Sequence, residues 1–491
     1  MFRVLQRCLG FALLLLLAAC LPIPNLHTEL NLPRPLYRIP PRQVYTAYVS
    51  LAGYDVPGTP ERLNRTFYLR YYTDNHAPEK ADTILVLMPG IFGGATSVDI
   101  LARQLVASQP GLEVWAIDRR ANALEDHSAL QESLKKRDPD IAYRYYVEAA
   151  GTKQGFRSVP EKDLLFMRRW GLVAHLHDLH EVVMQAHERA ATVILGGHSL
   201  GASLVSLYAA YRFEDGLGDD FIDGLLLLDG TLGRTGSFGI TGGLTLGELE
   251  LIPNALGYDE GRGPSFLETP LGPAYYAASE ARTLLARFRP DALAPDTAFP
   301  ITNLARIGST ADEGYALSAI FATSLGEPVG ARFGGNLPAV VIDGWDSHSS
   351  RTVAGVADGF EAVTWTDEGS AREFTDMGAY LQARVALKSD WNEWYFPLRL
   401  LVDMSELPLD LTDVQDFTAH SNVTTPTLAV GAGRGLVGSL DGFSAYSNMR
   451  ASALFSSYII PGYTHLDLVS ARDNPLVPLF ERWLGQIPKL E

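Results

Sequence analysis

The chain has 491 residues, 47 % hydrophobic, 20 % charged and 10 % aromatic. These are globular proportions, and they exclude collagen, a long coiled coil and wholesale disorder. Acidic residues outnumber basic ones 57 to 40, the net charge is −17, and no basic cluster occurs, which argues against a phosphate-tracking nucleic-acid binder. The two cysteines, Cys8 and Cys20, both lie near the start, so the rest of the chain has no disulfide framework and no cysteine-based metal site.

Arg3 and Arg7 precede an apolar run over residues 9–19. As a helix this run spans about 16 Å, half a bilayer core, so it reads as a secretory signal and not as a membrane span. It closes with Leu17-Ala18-Ala19-Cys20, which resembles the lipobox of bacterial lipoproteins. The resemblance implies a cut before Cys20 and acylation of Cys20, with palmitate among the chains. It also implies a lipid anchor in a bacterial envelope. By the same resemblance, the absence of Asp just after the cut implies the outer membrane. Several acyl chains on one residue anchor stably, at about 0.8 kcal/mol per buried CH₂. Pro22, Pro24, Pro33, Pro35, Pro40 and Pro41 make residues 20–42 a stiff tether.

Residues 43–54 and 66–73 are rich in Tyr, Val and Phe and read as two strands. Residues 83–88 form a continuous apolar run, as expected of a parallel strand covered on both faces. A helix over 97–107 and a buried strand over 113–117 follow. Residues 170–187 read as an amphipathic helix with Val173, Leu176, Leu179 and Val183 on one face. Then come a strand at 192–196, a helix at 200–211 and a strand at 224–228. This alternation predicts a doubly wound α/β sheet, mostly parallel and flanked by helices.

The alternation stops at Asp229. Residues 230–424 mix glycine-rich loops with helical patterns at 277–288 and 371–388 and a strand-like run at 338–343. Strands at 427–430 and 457–460 and a helix at 476–487 resume the first style. One sheet, over 43–229 and 425–491, is thus interrupted by a cap or lid insertion over 230–424.

Gly197-His198-Ser199-Leu200-Gly201 sits between a buried strand and a helix. A serine needs such a sharp turn to project its Oγ above a sheet, and the glycines permit the crowded backbone. Serine is a poor nucleophile without a base. Of eleven histidines, His465 alone falls between the last strand and the last helix. The third member must be a carboxylate that orients the imidazole. Asp229 ends an apolar strand and is favoured; Asp441, in the loop region after residue 430, is the alternative. Asp467 is too close to His465 in sequence and stabilises its own loop. An oxyanion hole needs two amides. Leu200 supplies one, and the loop Pro89-Gly90-Ile91-Phe92-Gly93-Gly94 supplies the other, with Ile91 first and Phe92 next.

With these residues in this order the sequence resembles the α/β-hydrolase superfamily, on its lipase and esterase side. The nucleophile elbow, the Pro-Gly loop and the late Gly462-Tyr463-Thr464-His465-Leu466-Asp467 carry the resemblance. It implies an α/β-hydrolase fold with a cap, and a serine esterase that needs no cofactor and no metal. The family commonly sets its acid after the next-to-last strand. Here that position is glycine-rich, and some lipases use the preceding strand, which is Asp229. The implied partners are a small-molecule or lipid ester and, through the anchor, a membrane. An envelope acyltransferase or thioesterase, or a non-catalytic binding lipoprotein on the same scaffold, is the alternative.

Three further groups take plain structural readings. His175 and His177 point opposite ways on a helix, so the set His175, His177 and His180 reads as a solvated face. Arg119 and Arg120 read as packing and ion-pairing residues. Trp345, Trp365, Trp391 and Trp394 read as cap core or as the lining of an acyl pocket.

Overall fold

The computed structural model describes residues 26–29, 42–73, 80–232, 245–246, 249–250, 263–266, 268, 272–316, 322–337, 350–367, 373–386, 388–408, 410–411, 413–450 and 454–487. The signal segment, the Cys20 lipobox, the strand-like run at 338–343 and Trp345 lie outside the described residues.

The core strands are β1 (Leu26–Glu29), β2 (Tyr45–Ala52), β3 (Arg65–Tyr72), β4 (Ala81–Met88), β5 (Leu112–Asp118), β6 (Ala190–His198), β7 (Gly224–Leu228), β8 (Thr427–Arg434) and β9 (Phe455–Thr464). They form one nine-stranded sheet in the order β1-β9-β8-β7-β6-β4-β5-β3-β2. β2 and β3 pair antiparallel with each other, and β3 pairs antiparallel with β5. Every other pairing is parallel. Helices α1 (Asp99–Ser108), α2 (Leu172–His187), α3 (Leu200–Ala210), between β6 and β7, and a closing helix (Leu476–Leu484) cover the sheet. This is the α/β-hydrolase fold.

The apolar runs deal their side chains to both faces. Ile84, Val86 and Met88 of β4 join one core cluster, and Leu85 and Leu87 join the other. β7 divides in the same way, with Leu225 and Leu227 on one side and Leu226 and Leu228 on the other. Two buried faces explain why these strands show no polar alternation. Each fully buried Leu contributes about 1.5–3 kcal/mol.

Four findings differ from the sequence reading. Leu26–Glu29, within the expected tether, adds to the sheet edge as a strand parallel to β9. A short register of four residues suffices there, because β9 already presents an unpaired edge. The helix expected over 371–388 is confined to Met377–Arg384, where Asp376 caps its start. Val173 of α2 is exposed, and the buried face runs through Leu172, Leu176, Leu179 and Val183. His175, His177 and His180 of α2 are not a solvated face. His175 is buried, its Nδ1–H donates to the Gly171 carbonyl at 2.7 Å, and burial drives its pKa down to about 3. His180 is also buried, packed on Phe213 and bonded to the Tyr208 hydroxyl at 2.8 Å, and His177 stacks on Tyr54.

The segment between β7 and β8 forms a cap with its own core. Helices Pro273–Phe288, Asn303–Ala311 and Met377–Arg384 gather Ile301, Ile307, Leu325, Trp365, Leu381 and Trp391. Ile100 of α1 and Leu466 of the His465 loop belong to that cluster too, so the cap core continues into the hydrolase core. Asp467 locks the joint. Its carboxylate accepts from Thr323 Oγ1 at 2.8 Å, from the Ser324 amide at 2.9 Å and hydroxyl at 2.7 Å, and from the Thr464 amide at 2.8 Å. Asp467→Ala strands these donors in a dry site. The expected cost is about 3–5 kcal/mol, seen as a lower denaturant midpoint.

Candidate active site

Ser199 lies between the C-terminus of β6 and the first turn of α3, with φ 57° and ψ −124°. Such a conformation is costly for a residue with a side chain and persists only where its surroundings enforce it. They do so here. A Cβ on Gly197 would lie 2.2 Å from the Gly201 carbonyl, and one on Gly201 would lie 2.3 Å from the Met88 carbonyl. One on Gly90 would lie 2.9 Å from the Ser199 Cβ. Three glycines therefore let the elbow and the loop after β4 touch. The Ser199 amide donates to the Leu228 carbonyl at 2.8 Å, which ties the elbow to the tip of β7.

Asp229 follows that tip and is fully buried. The His465 Nδ1–H donates to its Oδ2 at 2.6 Å. The amides of Ala432, Leu436 and Val437 donate to the same carboxylate at 3.0, 2.7 and 2.9 Å. Burial pushes this carboxyl up, but the His465 ring and these amides outweigh it and hold the pKa below the ordinary value. The glycine-rich loop after β8 carries no acid because its backbone is the socket for Asp229. A Cβ on Gly435 would lie 2.1 Å from Asp229 Oδ2. Asp441 is exposed at the start of the helix Asp441–Met449. The structure thus brings Ser199, His465 and Asp229 together and leaves Asp441 outside.

An acceptor-only carboxylate on Nδ1 assigns the proton to that nitrogen and leaves Nε2 of His465 with a lone pair. His198 stacks on the His465 ring at 4.4 Å and donates from Nε2 to the His465 carbonyl at 3.1 Å. Burial, followed by the neighbouring His465, lowers the His198 pKa to about 3. A neutral His198 places no second charge against His465.

Ile91 and Leu200 each have an amide that makes no hydrogen bond among the described residues. Ile91 lies in the loop after β4, and Leu200 opens α3 at the positive end of its dipole. That loop is held from two sides. Arg119 donates to the carbonyls of Pro89 at 2.7 Å, Gly90 at 3.0 Å and Gly93 at 3.2 Å, and pairs with Glu393 at 2.8 Å. From the cap, the Glu393 amide donates to the Phe92 carbonyl, and the Gly94 amide donates to the Trp391 carbonyl. Arg120 pairs instead with Asp178. Both arginines are packing and ion-pairing residues, but Arg119 also braces the loop beside Ser199, a role its sequence position does not advertise.

Ser199, His465, Ile91 and Phe92 open onto a cavity of about 460 Å³. Its far walls belong to the cap and include Tyr276, Phe299, Ile307, Tyr380 and Trp391. Trp391 is both cap core and cavity wall, Trp365 is cap core, and Trp394 joins the main core.

Beside cap residues 390–394 lies an acidic group, with Asp390 buried and Glu125 and His127 half-buried, that the sequence reading, which expected no metal site, did not find. The ligand atoms of Glu125, His127 and Asp390 lie within 4.8 Å of one another, the one such set among the described residues that could hold a cation. They are 265 residues apart in sequence at the extremes, and only the docking of the cap brings them together. As protein groups they form an ion-paired set, with His127 Nε2 2.9 Å from Glu125 and 2.8 Å from Asp390. Among the described residues no helix is long and apolar enough to cross a membrane.

No family model matches the sequence, and none of the curated proteins is similar to it. Solved structures are similar to it over most of their length. A protein of Sulfolobus solfataricus put forward as a lipase is 16 % identical, with 92 % of this chain and 98 % of that one covered at a TM-score of 0.49. Epoxide hydrolase A of Mycobacterium thermoresistibile is 13 % identical over 91 % and 100 %, at 0.41. A thermophilic esterase of Thermogutta terrifontis is 11 % identical over 90 % and 99 %, at 0.38.

The buried acids make stability depend on pH. Burial raises Glu125 to about 8, and raises Asp312, Asp390 and Glu393 to about 7. A carboxyl raised on folding contributes stability that is full below its unfolded pKa and is lost as pH rises through the folded one. The buried His175, His198 and His420 have the opposite sign but act only below their unfolded value of 6.5. Between pH 6.5 and 8.5 the carboxyls act together with His127, whose pKa burial pushes down but Asp390 and Glu125 hold well above its ordinary value, so that it too loses stability as pH rises. Unfolding free energy is expected to fall by about 2 kcal/mol or more over that window, measured by chemical denaturation at each pH.

Proposed function

We propose that this protein is a serine hydrolase that cleaves carboxylic esters through an acyl-enzyme. The observation that carries the reading is the 2.6 Å bond between Asp229 and His465 Nδ1, made at the edge of a cavity that also holds Ser199 in its strained elbow.

The chemistry follows from the geometry. His465 Nε2 takes the Ser199 proton as Oγ attacks the ester carbonyl. The Asp229 carboxylate keeps the proton on Nδ1 and stabilises the imidazolium that forms, without itself being protonated. The Ile91 and Leu200 amides receive the developing oxyanion; they are preorganised because one opens a helix and the other sits in a loop braced by Arg119. His465 then returns the proton to the leaving alcohol. In the second half it activates water against the acyl-enzyme. Every proton moves between groups of the chain, the substrate and water. The substrate class proposed is a small-molecule or lipid ester, in keeping with the largely apolar cavity.

Variant kinetics on a p-nitrophenyl ester series test the assignment. Ser199→Ala and His465→Gln are expected to lower kcat by about 10⁴-fold or more. Asp229→Asn costs about 10⁴-fold, because the amide stabilises the wrong tautomer. Asp441→Asn stays within about twofold, since a surface substitution away from the site changes little. Full activity in Asp229→Asn with loss in Asp441→Asn reverses the choice of acid.

We further propose that the enzyme works on the bacterial envelope, tethered through lipid on Cys20, with the outer membrane as its site. The lipobox sequence supports this reading. Metabolic labelling with palmitate is expected to mark the wild-type chain and not Cys20→Ser, with the wild-type label in the outer-membrane fraction.

A further inference from the structure

The lining of the cavity beside Ser199 carries positive charge and no negative charge. Of the described residues that line it, Arg306, Arg351 and Arg384 are charged cations and none is an Asp or Glu. This holds in a protein whose overall charge is −17. A random draw from such a surface gives acids, so the sign at the cavity is a local feature.

Arg384 carries the strongest part of the argument. It is buried at the end of the helix Met377–Arg384. Its three protein partners are hydroxyls: Tyr380 at 2.9 Å, Ser279 at 2.9 Å and Thr283 at 3.2 Å. Glu280, next to Ser279 in sequence, accepts from Asn392 and Trp394 instead. The guanidinium thus has no carboxylate in direct contact; Glu280 attracts it only through space, which leaves its desolvation incompletely offset. Beside it in the lining, Tyr276 is buried with a hydroxyl that has no hydrogen-bond partner. An unused buried O–H next to a cation with no carboxylate bonded to it is a pair of donors that lacks an acceptor. The other two arginines add to the same sign. Arg306 shares the single carboxylate of Asp296 with Arg282. Arg351 lies 4.1 Å over the Phe333 ring and pairs with no carboxylate among the described residues.

We propose that the cavity binds substrates that carry an anionic oxygen group, a phosphate or a carboxylate, with Arg384 and Tyr276 as its donors and Arg306 and Arg351 supplying the field. The guanidinium fork suits either group, since both present two or more acceptor oxygens. The apolar walls from Phe299, Ile307 and Trp391 take the hydrocarbon part. The inference rests on this cavity being the ester site proposed above, and it narrows that site to anionic amphiphiles.

The test is calorimetric binding to the full chain carrying Ser199→Ala, with octyl phosphate, octanoate and octanol as probes. Octyl phosphate or octanoate is expected to bind at least tenfold more tightly than octanol, and the tighter of the two identifies the group. Arg384→Gln on the same background should lower that preference at least fivefold. Tyr276→Phe, which keeps the ring and removes only the unpaired hydroxyl, should lower it about threefold and serves if Arg384→Gln does not fold. Equal affinity for the three probes, no binding of either anion, or a preference that survives Tyr276→Phe and Arg384→Gln overturns the proposal. Because binding is read without turnover, it is separate from the hydrolase reading. That reading fails instead if wild-type protein shows no Ser199-dependent ester cleavage.

Discussion

One buried carboxylate organises the site. Asp229 has no solvent contact and receives four donors: the Ala432 amide near the end of β8, the Leu436 and Val437 amides of the loop after it, and the His465 ring. Through these bonds the ends of β7, β8 and β9 are held against one another. The elbow joins the set through the Ser199 amide on Leu228. A charge so buried is costly unless its lone pairs are filled, and the chain fills them with backbone that cannot move independently. The glycines of the β8 loop follow from this requirement, since any side chain at Gly435 would displace the carboxylate.

A second constraint couples the cap to the chemistry. The loop after β4 forms a bridge with cap residues 391–393, and Arg119 holds its carbonyls from beneath. Asp467 holds the other side by binding cap residues 323 and 324 two positions beyond His465. The cap is therefore bonded to both the loop of Ile91 and the loop of His465. On the proposed reading, specificity and catalysis share parts. Changes in cap packing at Trp391 or Glu393 act on the Ile91 amide as well as on the cavity wall.

Much of this was legible in the sequence because it follows from local rules. Continuous apolar runs marked the parallel strands, since a two-faced strand needs no polar alternation. Gly197–Gly201 marked the elbow because its backbone tolerates no larger residue there. Asp229 was legible as a single charge ending an apolar strand, and the absence of an acid in the loop after β8 was legible as well. Tertiary contacts hid the rest. Glu125 and Asp390 meet only when the cap docks, and nothing near either in sequence points to the other. The helix Ser128–Lys136 and the segment Pro139–Glu148 pack against the cap helix Pro273–Phe288, a contact that no local pattern announces. His175 and His180 looked solvated because polar side chains on a helix usually are. Each is buried because the Gly171 carbonyl and the Tyr208 hydroxyl lie within reach.

The central claim is that Ser199 is a nucleophile activated by His465. Mass spectrometry of the full chain after treatment with a fluorophosphonate tests it most directly. The account predicts a single phosphonyl adduct on the peptide carrying Ser199, formed quickly at neutral pH and abolished in Ser199→Ala. An unlabelled wild-type chain, or an adduct that persists unchanged in Ser199→Ala, would contradict it.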